Sequence, residues 1–326
     1  LTACSGNDAA EQRRPAPGRE ESLAIDERVE EITARILENP NNPNLYVIRA
    51  LAYSDQEMFG LALKDIDRAL MVDSTVSFFH ATKGEIFFKT GELRPARLSL
   101  ERAVAYDPEN TEALLKLGEV NFLLRRYQEA IVVINQALQV NDRLAKGYFL
   151  KGFIFKEGGD TVRALSSFQT AIEVNPEYYE AYIELAHIYG YQGNSLAVEY
   201  IKSALDLRPN SLEAYYHLGM YYQSKGQVEE AMEAYRTLLK NDPNGFLGHY
   251  NLGYIYLTEY QYFDTAMAYF DTVLTIQPAA IDARYNRGLC FEEMGKTSKA
   301  VEIYREVLQI DPQYTLAAKG LERLLE

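Results

Sequence analysis

The chain has 326 residues, is 47% hydrophobic and 12% aromatic, and carries a formal net charge of −14. That apolar content is ample for a continuous core. The negative charge argues against a nucleic-acid partner, which needs a basic footprint, and against polybasic contact with anionic lipid. Two cysteines, Cys4 and Cys290, leave no disulfide framework, and no apolar run reaches membrane-spanning length.

Residues 1–21 open with Leu1-Thr2-Ala3-Cys4 and continue as a polar, Gly/Pro/Ala-bearing stretch without apolar periodicity, which reads as a flexible tether. Residues 22–42 hold a predicted helix from Ser22 to Glu38, with Ile25, Val29, Ile32 and Ile36 on one face and Pro40 beyond its end. From residue 43 to residue 314 the chain repeats itself about every 34 residues. A small residue stands eight positions into each unit: Ala50, Gly84, Gly118, Gly152, Ala186, Gly219, Gly253 and Gly288. A second small marker follows at Ala62, Ala96, Ala130, Ala164, Ala197, Ala231, Ala266 and Ala300. Six units close on proline, and Ser74 and Asp142 stand where the other two would have it. The units run 43–76, 77–110, 111–144, 145–178, 179–211, 212–245, 246–280 and 281–314, with one residue missing near Asn194 and one extra near Tyr262.

Residues 212–245 show why each unit is a pair of helices. Tyr215, Leu218, Gly219 and Tyr222 form an i, i+3, i+4, i+7 stripe, and Gly226 ends it. Val228, Ala231, Tyr235, Leu238 and Leu239 mark a second amphipathic helix, stopped by Asp242-Pro243. Gly219 and Ala231 sit where the two helices come close. Such units bury their apolar faces only against neighbours, so an array needs capped ends. Residues 315–326, with Leu316, Leu321, Leu324 and Leu325, supply a predicted C-terminal capping helix.

The units resemble tetratricopeptide repeats, whose pattern has Leu at position 7, Gly or Ala at 8, Tyr or Phe at 11, Ala at 20, Phe or Tyr at 24, Ala at 27 and Pro at 32. Residues 281–314 match with Gly288, Phe291, Ala300, Tyr304 and Pro312, and residues 145–178 with Gly152, Phe155, Ala164, Phe168, Ala171 and Pro176. The resemblance implies an all-α fold, a right-handed superhelical solenoid of about eight helix-turn-helix repeats between capping helices. It also implies a non-enzymatic scaffold without cofactor that binds protein segments in a concave groove. The opening Leu-Thr-Ala-Cys resembles the end of a bacterial lipoprotein signal peptide, which makes Cys4 the expected lipidation site and the outer membrane of a bacterial cell envelope the expected location.

In this family positions 2, 5, 6, 9, 12 and 13 of the first helix point into the groove. Read at positions 5 and 9, the chain places Val47, Leu51, Ala81, Glu85, Leu115 and Glu119 there first, and turns aromatic and apolar from the fourth unit onward. Phe149, Phe153, His187, Tyr216, Met220, Tyr250, Tyr254 and Tyr285 are the expected partner-binding residues, either as an open groove or packed on one another. Asn251 and Asn286, at position 6 of consecutive units, offer amides that match a peptide backbone. Lys116 and Lys146 alone do not rebuild the carboxylate clamp of chaperone-binding members.

His187 and His217 are placed to approach one another, with Glu184 one turn from His187, but no metal ion is expected on so small a donor set. No nucleophile–base pair stands at a defensible spacing. Cys290 reads as a small buried hydrophobe. The chain therefore reads as a lipid-anchored adaptor, similar to envelope lipoproteins that recruit murein hydrolases and proteases. Its alternative is a permanent subunit or homodimer of an outer-membrane assembly such as a secretion or gliding machine.

Overall fold

A computed structural model describes residues 19–326, with side chains from residue 27 onward. Among these residues there are eighteen helices and no strand. Cys4 and residues 1–18 of the expected tether lie outside the described residues.

The described helices group into two compact units, divided between residues 167 and 168. The first begins with α1 (Arg19–Glu38), followed by the pairs α2 (Pro43–Asp55) and α3 (Phe59–Val72), α4 (Ser77–Lys89) and α5 (Leu93–Tyr106), and α6 (Thr111–Leu123) and α7 (Tyr127–Val140). α8 (Ala145–Glu157) follows, and the boundary falls inside its partner α9 (Thr161–Val174). The second unit pairs α10 (Tyr179–Tyr191) with α11 (Leu196–Leu207), and α12 (Leu212–Ser224) with α13 (Val228–Asn241). It continues with α14 (Phe246–Thr258) and α15 (Phe263–Ile276), then α16 (Ile281–Glu293) and α17 (Thr297–Ile310), and ends on α18 (Thr315–Leu325). α1 starts at Arg19, before the expected Ser22, because Arg-Glu-Glu is a good helix-forming run behind Pro17-Gly18.

Position 8 sets how closely the two helices of a repeat approach. A Cβ added to Gly84 would lie 2.6 Å from Leu100 Cγ, and one on Gly288 would lie 2.8 Å from Tyr304 Cε1. Gly219 stands against the Tyr235 ring in the same way. Position 8 is alanine at Ala50 and Ala186, opposite Ile66 and Ile201, while Gly118 faces Ile134, so an isoleucine at position 24 is found with either small residue. The alanines at position 20, from Ala62 to Ala300, are all completely buried, as their spacing predicts. Crossing helices at such short distance excludes larger side chains from these sites.

The turn between the helices of each repeat carries one residue in the left-handed region. Five are glycines, Gly91, Gly159, Gly193, Gly226 and Gly295, and the other three are Glu57, Arg125 and Gln261. At six of the eight repeat ends, an Asp or Asn side chain closes the turn by accepting from the backbone N–H two residues on. Asp107, Asn175, Asp242 and Asp311 do this before proline. Asp73 and Asn141 do it where proline is absent, so Ser74 and Asp142 leave the turn intact.

At the first end, Ile32 and Ile36 of α1 pack with Leu45, Tyr46 and Ile66. Arg49 of α2 binds Asp65 of α3 bidentately at 2.7 and 2.8 Å and also donates to Thr33 of α1 at 3.0 Å. At the other end, Leu321 and Leu324 of α18 cover the cluster around Tyr304 and Val307, while Leu316 and Leu325 are exposed. Cys290 is buried in the core of α15 and α16, and burial pushes its thiol up to about 12.

Gly219→Ala is expected to lower stability by about 1–3 kcal/mol through overpacking against Tyr235. Gly60→Ala in α3, where nothing lies within 4 Å of the added carbon, should gain up to about 1 kcal/mol from helix propensity. Urea midpoints of the two variants measure both, and equal shifts would refute the close-approach account. Arg125→Gly should raise the midpoint by relieving a left-handed residue worth about 1 kcal/mol. Cys290 should resist iodoacetamide at pH 8, in peptide-mapped mass spectra, until urea unfolds the chain. Labelling of the native protein would mean that this core opens locally.

Candidate protein-interaction face

The expected binding residues all lie on the first helices of repeats: Phe149 and Phe153 on α8, His187 on α10, Tyr216 and Met220 on α12, Tyr250, Asn251 and Tyr254 on α14, and Tyr285 and Asn286 on α16. Their helical positions do not reach solvent equally. Position 5 is buried at Val47, Leu115 and Ile183, where it packs instead of lining a surface. Position 9 is exposed at Leu51, Met220 and Tyr254.

In the second unit, the residues at positions 5 and 6 bind inward. Tyr250 packs edge-on against Phe270 with ring centres 5.9 Å apart, and its hydroxyl accepts from Asn286 Nδ2 at 3.1 Å. Asn251 Nδ2 donates to Leu247 O of its own helix at 2.8 Å. Both asparagines are buried, so these amide N–H groups are engaged within the protein. Tyr285 stacks on Tyr304 at 5.5 Å and meets Tyr314 at 5.4 Å, and its burial there raises the phenol above its ordinary pKa. Tyr216 packs half-buried against the cluster of Tyr235 and Leu252.

Met220 and Tyr254 remain outward, 43% and 39% exposed. Leu247, 37% exposed, precedes Tyr254 by two turns on the same face of α14. In the first unit, Lys146 at position 2 meets Glu119 at position 9 of the preceding repeat at 3.1 Å. Met220 and Leu247 hold the equivalent positions 9 and 2 of consecutive repeats, so with Tyr254 they give three exposed apolar side chains on the first helices α12 and α14. Leu247 was missed by reading only positions 5 and 9, although position 2 marked it. Tyr191, 84% exposed at position 13 of its repeat, was missed for the same reason.

The first unit presents a different face. Phe149 and Phe153 of α8 contact one another edge-on at 4.9 Å, Phe153 lies 6.3 Å from Phe122, and Lys156 Nζ sits 5.3 Å from the Phe153 ring centre. Both phenylalanines are half-buried in this cluster. Ahead of it, Lys116 lies between Glu85 at 4.0 Å and Glu119 at 3.3 Å. Lys116 and Lys146 are thus matched to carboxylates of the same face, which explains why they make no clamp for an acidic terminus.

His187 and His217 do come together, with ring centres 5.4 Å apart, and His187 also meets Tyr191 edge-on at 6.0 Å. Among the described residues no group of three or more His, Cys, Asp and Glu side chains is arranged to hold a metal ion. No described helix is long and apolar enough to cross a membrane. Two clefts in the first unit, of about 510 and 350 Å³, are lined by residues outside the candidate set.

Profiles of the tetratricopeptide repeat match residues 82–145, 220–259 and 281–314. The protein CTR9 homolog of Arabidopsis thaliana is 27% identical over 73% of this chain, which spans 20% of that relative's length. The TPR repeat-containing protein MJ1428 of Methanocaldococcus jannaschii is 23% identical over 91% of the chain, which spans 49% of its length. A solved tetratricopeptide repeat protein from Parabacteroides merdae shares the fold, with a TM-score of 0.57 and 19% identity over 77% of this chain and 99% of that one. The chain carries tetratricopeptide repeats and has the all-helical fold of solenoids built from them.

Proposed function

We propose that the chain is a non-enzymatic scaffold that holds an apolar segment of a partner protein on the first-helix face of its second unit. The exposed apolar side chains of Met220, Leu247 and Tyr254 carry this reading. Grouped exposed apolar side chains on a packed scaffold mark an interaction site more often than scattered ones do. Tyr216, Tyr250 and Tyr285 on the same first helices pack inward, and Phe149 and Phe153 form a second, half-buried aromatic patch in the first unit. The repeat fold itself points to protein–protein contact, since solenoids present extended surfaces to partners.

The location belongs to the same proposal. Leu1-Thr2-Ala3-Cys4 suits lipidation at Cys4, and a polar tether behind it suits a scaffold held at a bacterial membrane. The partner then lies within reach of that envelope. A permanent subunit or a second copy of the chain would use the same apolar side chains. Light scattering over a dilution series separates the two readings, because an adaptor with an open face is a monomer at every concentration.

Met220→Glu combined with Tyr254→Glu should abolish crosslinked capture of the partner from cells while the thermal melt stays within a few degrees. Capture that survives both changes would sink the proposed face. Phe153→Glu is the contrast: it charges the Phe149–Phe122 cluster and should lower the melt. Cys4→Ser should move the protein from the membrane fraction to the soluble one and remove incorporation of labelled palmitate. Unchanged fractionation would overturn the anchor.

A further inference from the structure

The first helices of the last four repeats carry an unbalanced set of charges. At positions 2, 5, 6, 9, 12 and 13 they hold Glu180, Glu184, Glu213, Asp282, Glu292 and Glu293, with no Lys or Arg. The same positions of the first four repeats hold five carboxylates and four lysines, so the imbalance belongs to the second unit. Three consecutive first helices there, α10, α12 and α14, contain no Lys or Arg at any position.

Cations from outside these helices reach part of the set. Arg208, in the turn before α12, pairs with Glu180 at 2.7 Å, and Arg323 of α18 pairs with Glu292 at 2.5 Å. Glu213 and Asp282 instead accept from phenols, Tyr179 at 3.4 Å and Tyr314 at 2.7 Å, which leaves their charge in place. Arg208 also shows how a cation is held here: its guanidinium lies 3.8 Å from the centre of the Tyr179 ring while it binds Glu180. The carboxylates are spread over α10, α12 and α16, and no metal-holding group occurs among the described residues. Their complement is therefore positive charge distributed along a chain.

We propose that the partner segment held by the second unit carries a Lys or Arg close to its apolar residues. This rests on the reading of Met220, Leu247 and Tyr254 as the docking side chains. Met220 and Glu213 are both exposed and lie seven residues apart on one stripe of α12, about 10 Å along the helix axis. Three residues of an extended segment cover about 10 Å. An apolar side chain seated on Met220 therefore sets a residue three places along the segment within reach of Glu213. Asp or Glu there meets like charge, and a neutral residue leaves Glu213 to water. Lys or Arg pairs with it, so the partner's charge selects which apolar segments stay.

The test uses the full chain, ¹⁵N-labelled, at about pH 8, where imidazoles are neutral. The probes are acetyl-Lys-Gly-Ser-Leu-Gly-Phe-amide and the same peptide with Ser or Glu in place of Lys. All three should shift the amides of Met220, Leu247 and Tyr254. At low salt the Lys probe should bind about fivefold tighter than the Ser probe, the upper end for one exposed ion pair, and the Glu probe weakest. The three affinities should converge at about 1 M salt, where screening reaches within a few ångströms. Glu213→Gln should bring the Lys probe close to the Ser probe, and Glu213→Lys should make the Glu probe the tightest. Equal affinity for the Lys and Ser probes at low salt, with the Met220, Leu247 and Tyr254 shifts intact, would overturn this inference and leave the apolar face standing. A Lys preference unchanged in Glu213→Lys would overturn it too. No shift at Met220, Leu247 and Tyr254 with any probe would overturn the face itself and this inference with it.

Discussion

The close approach of two helices at position 8 is the constraint on which the other features depend. Glycine there, or alanine opposite an isoleucine, lets the ring or branched chain at position 24 lie directly across the helix pair. That crossing settles which side of the first helix turns inward. Positions 5 and 6 are drawn toward the neighbouring first helix, as the Tyr250–Asn286 hydrogen bond shows. Positions 2, 9 and 13 are left to solvent, and the exposed Leu247, Met220, Tyr254 and Tyr191 sit there. The interaction face is therefore a by-product of core packing, and a change at Gly219 would reach Met220 through the tilt of α12.

Close packing is what made the repeats legible from sequence. A site that admits only Gly or Ala maps one residue type onto one geometry, and its recurrence reveals the helix pair without knowledge of the partner. The face was less legible because polar and aromatic residues have several ways to satisfy themselves. Asn251 binds its own backbone four residues back, and Asn286 binds a tyrosine in another helix. Nothing local distinguishes these amides from ones that would greet a peptide. Phe149 and Phe153 pose the same problem, since whether they face a partner or Phe122 depends on the neighbouring repeat. His187 and His217 were readable together because helical register alone brings them close.

Charge divides the two units more sharply than the repeat pattern does. Of the 47 acidic and 33 basic residues, 22 and 12 fall in residues 168–326, so about 10 of the 14 net negative charges lie in the second unit. In the first unit Lys116 and Lys146 are set against Glu85 and Glu119, which leaves that part of the face close to neutral. The exposed apolar side chains of the second unit are thus presented within a negative field. Such a field slows the approach of acidic chains and favours basic ones at low salt, while those side chains supply the short-range attraction.

Asn121 shows how an array can hold an unfilled ring position without losing its fold. In a globular core, an aromatic replaced by a small polar residue leaves a cavity costing about 3–5 kcal/mol, shared by everything around it. In a solenoid, stability is close to a sum over repeats and nearest neighbours, so the loss stays within the second and third repeats. Those repeats hold Leu100, Ile134, Leu114 and Leu117 completely or almost completely buried. A repeat architecture can therefore carry a local departure at position 11 that a compact domain would have to absorb across its whole core.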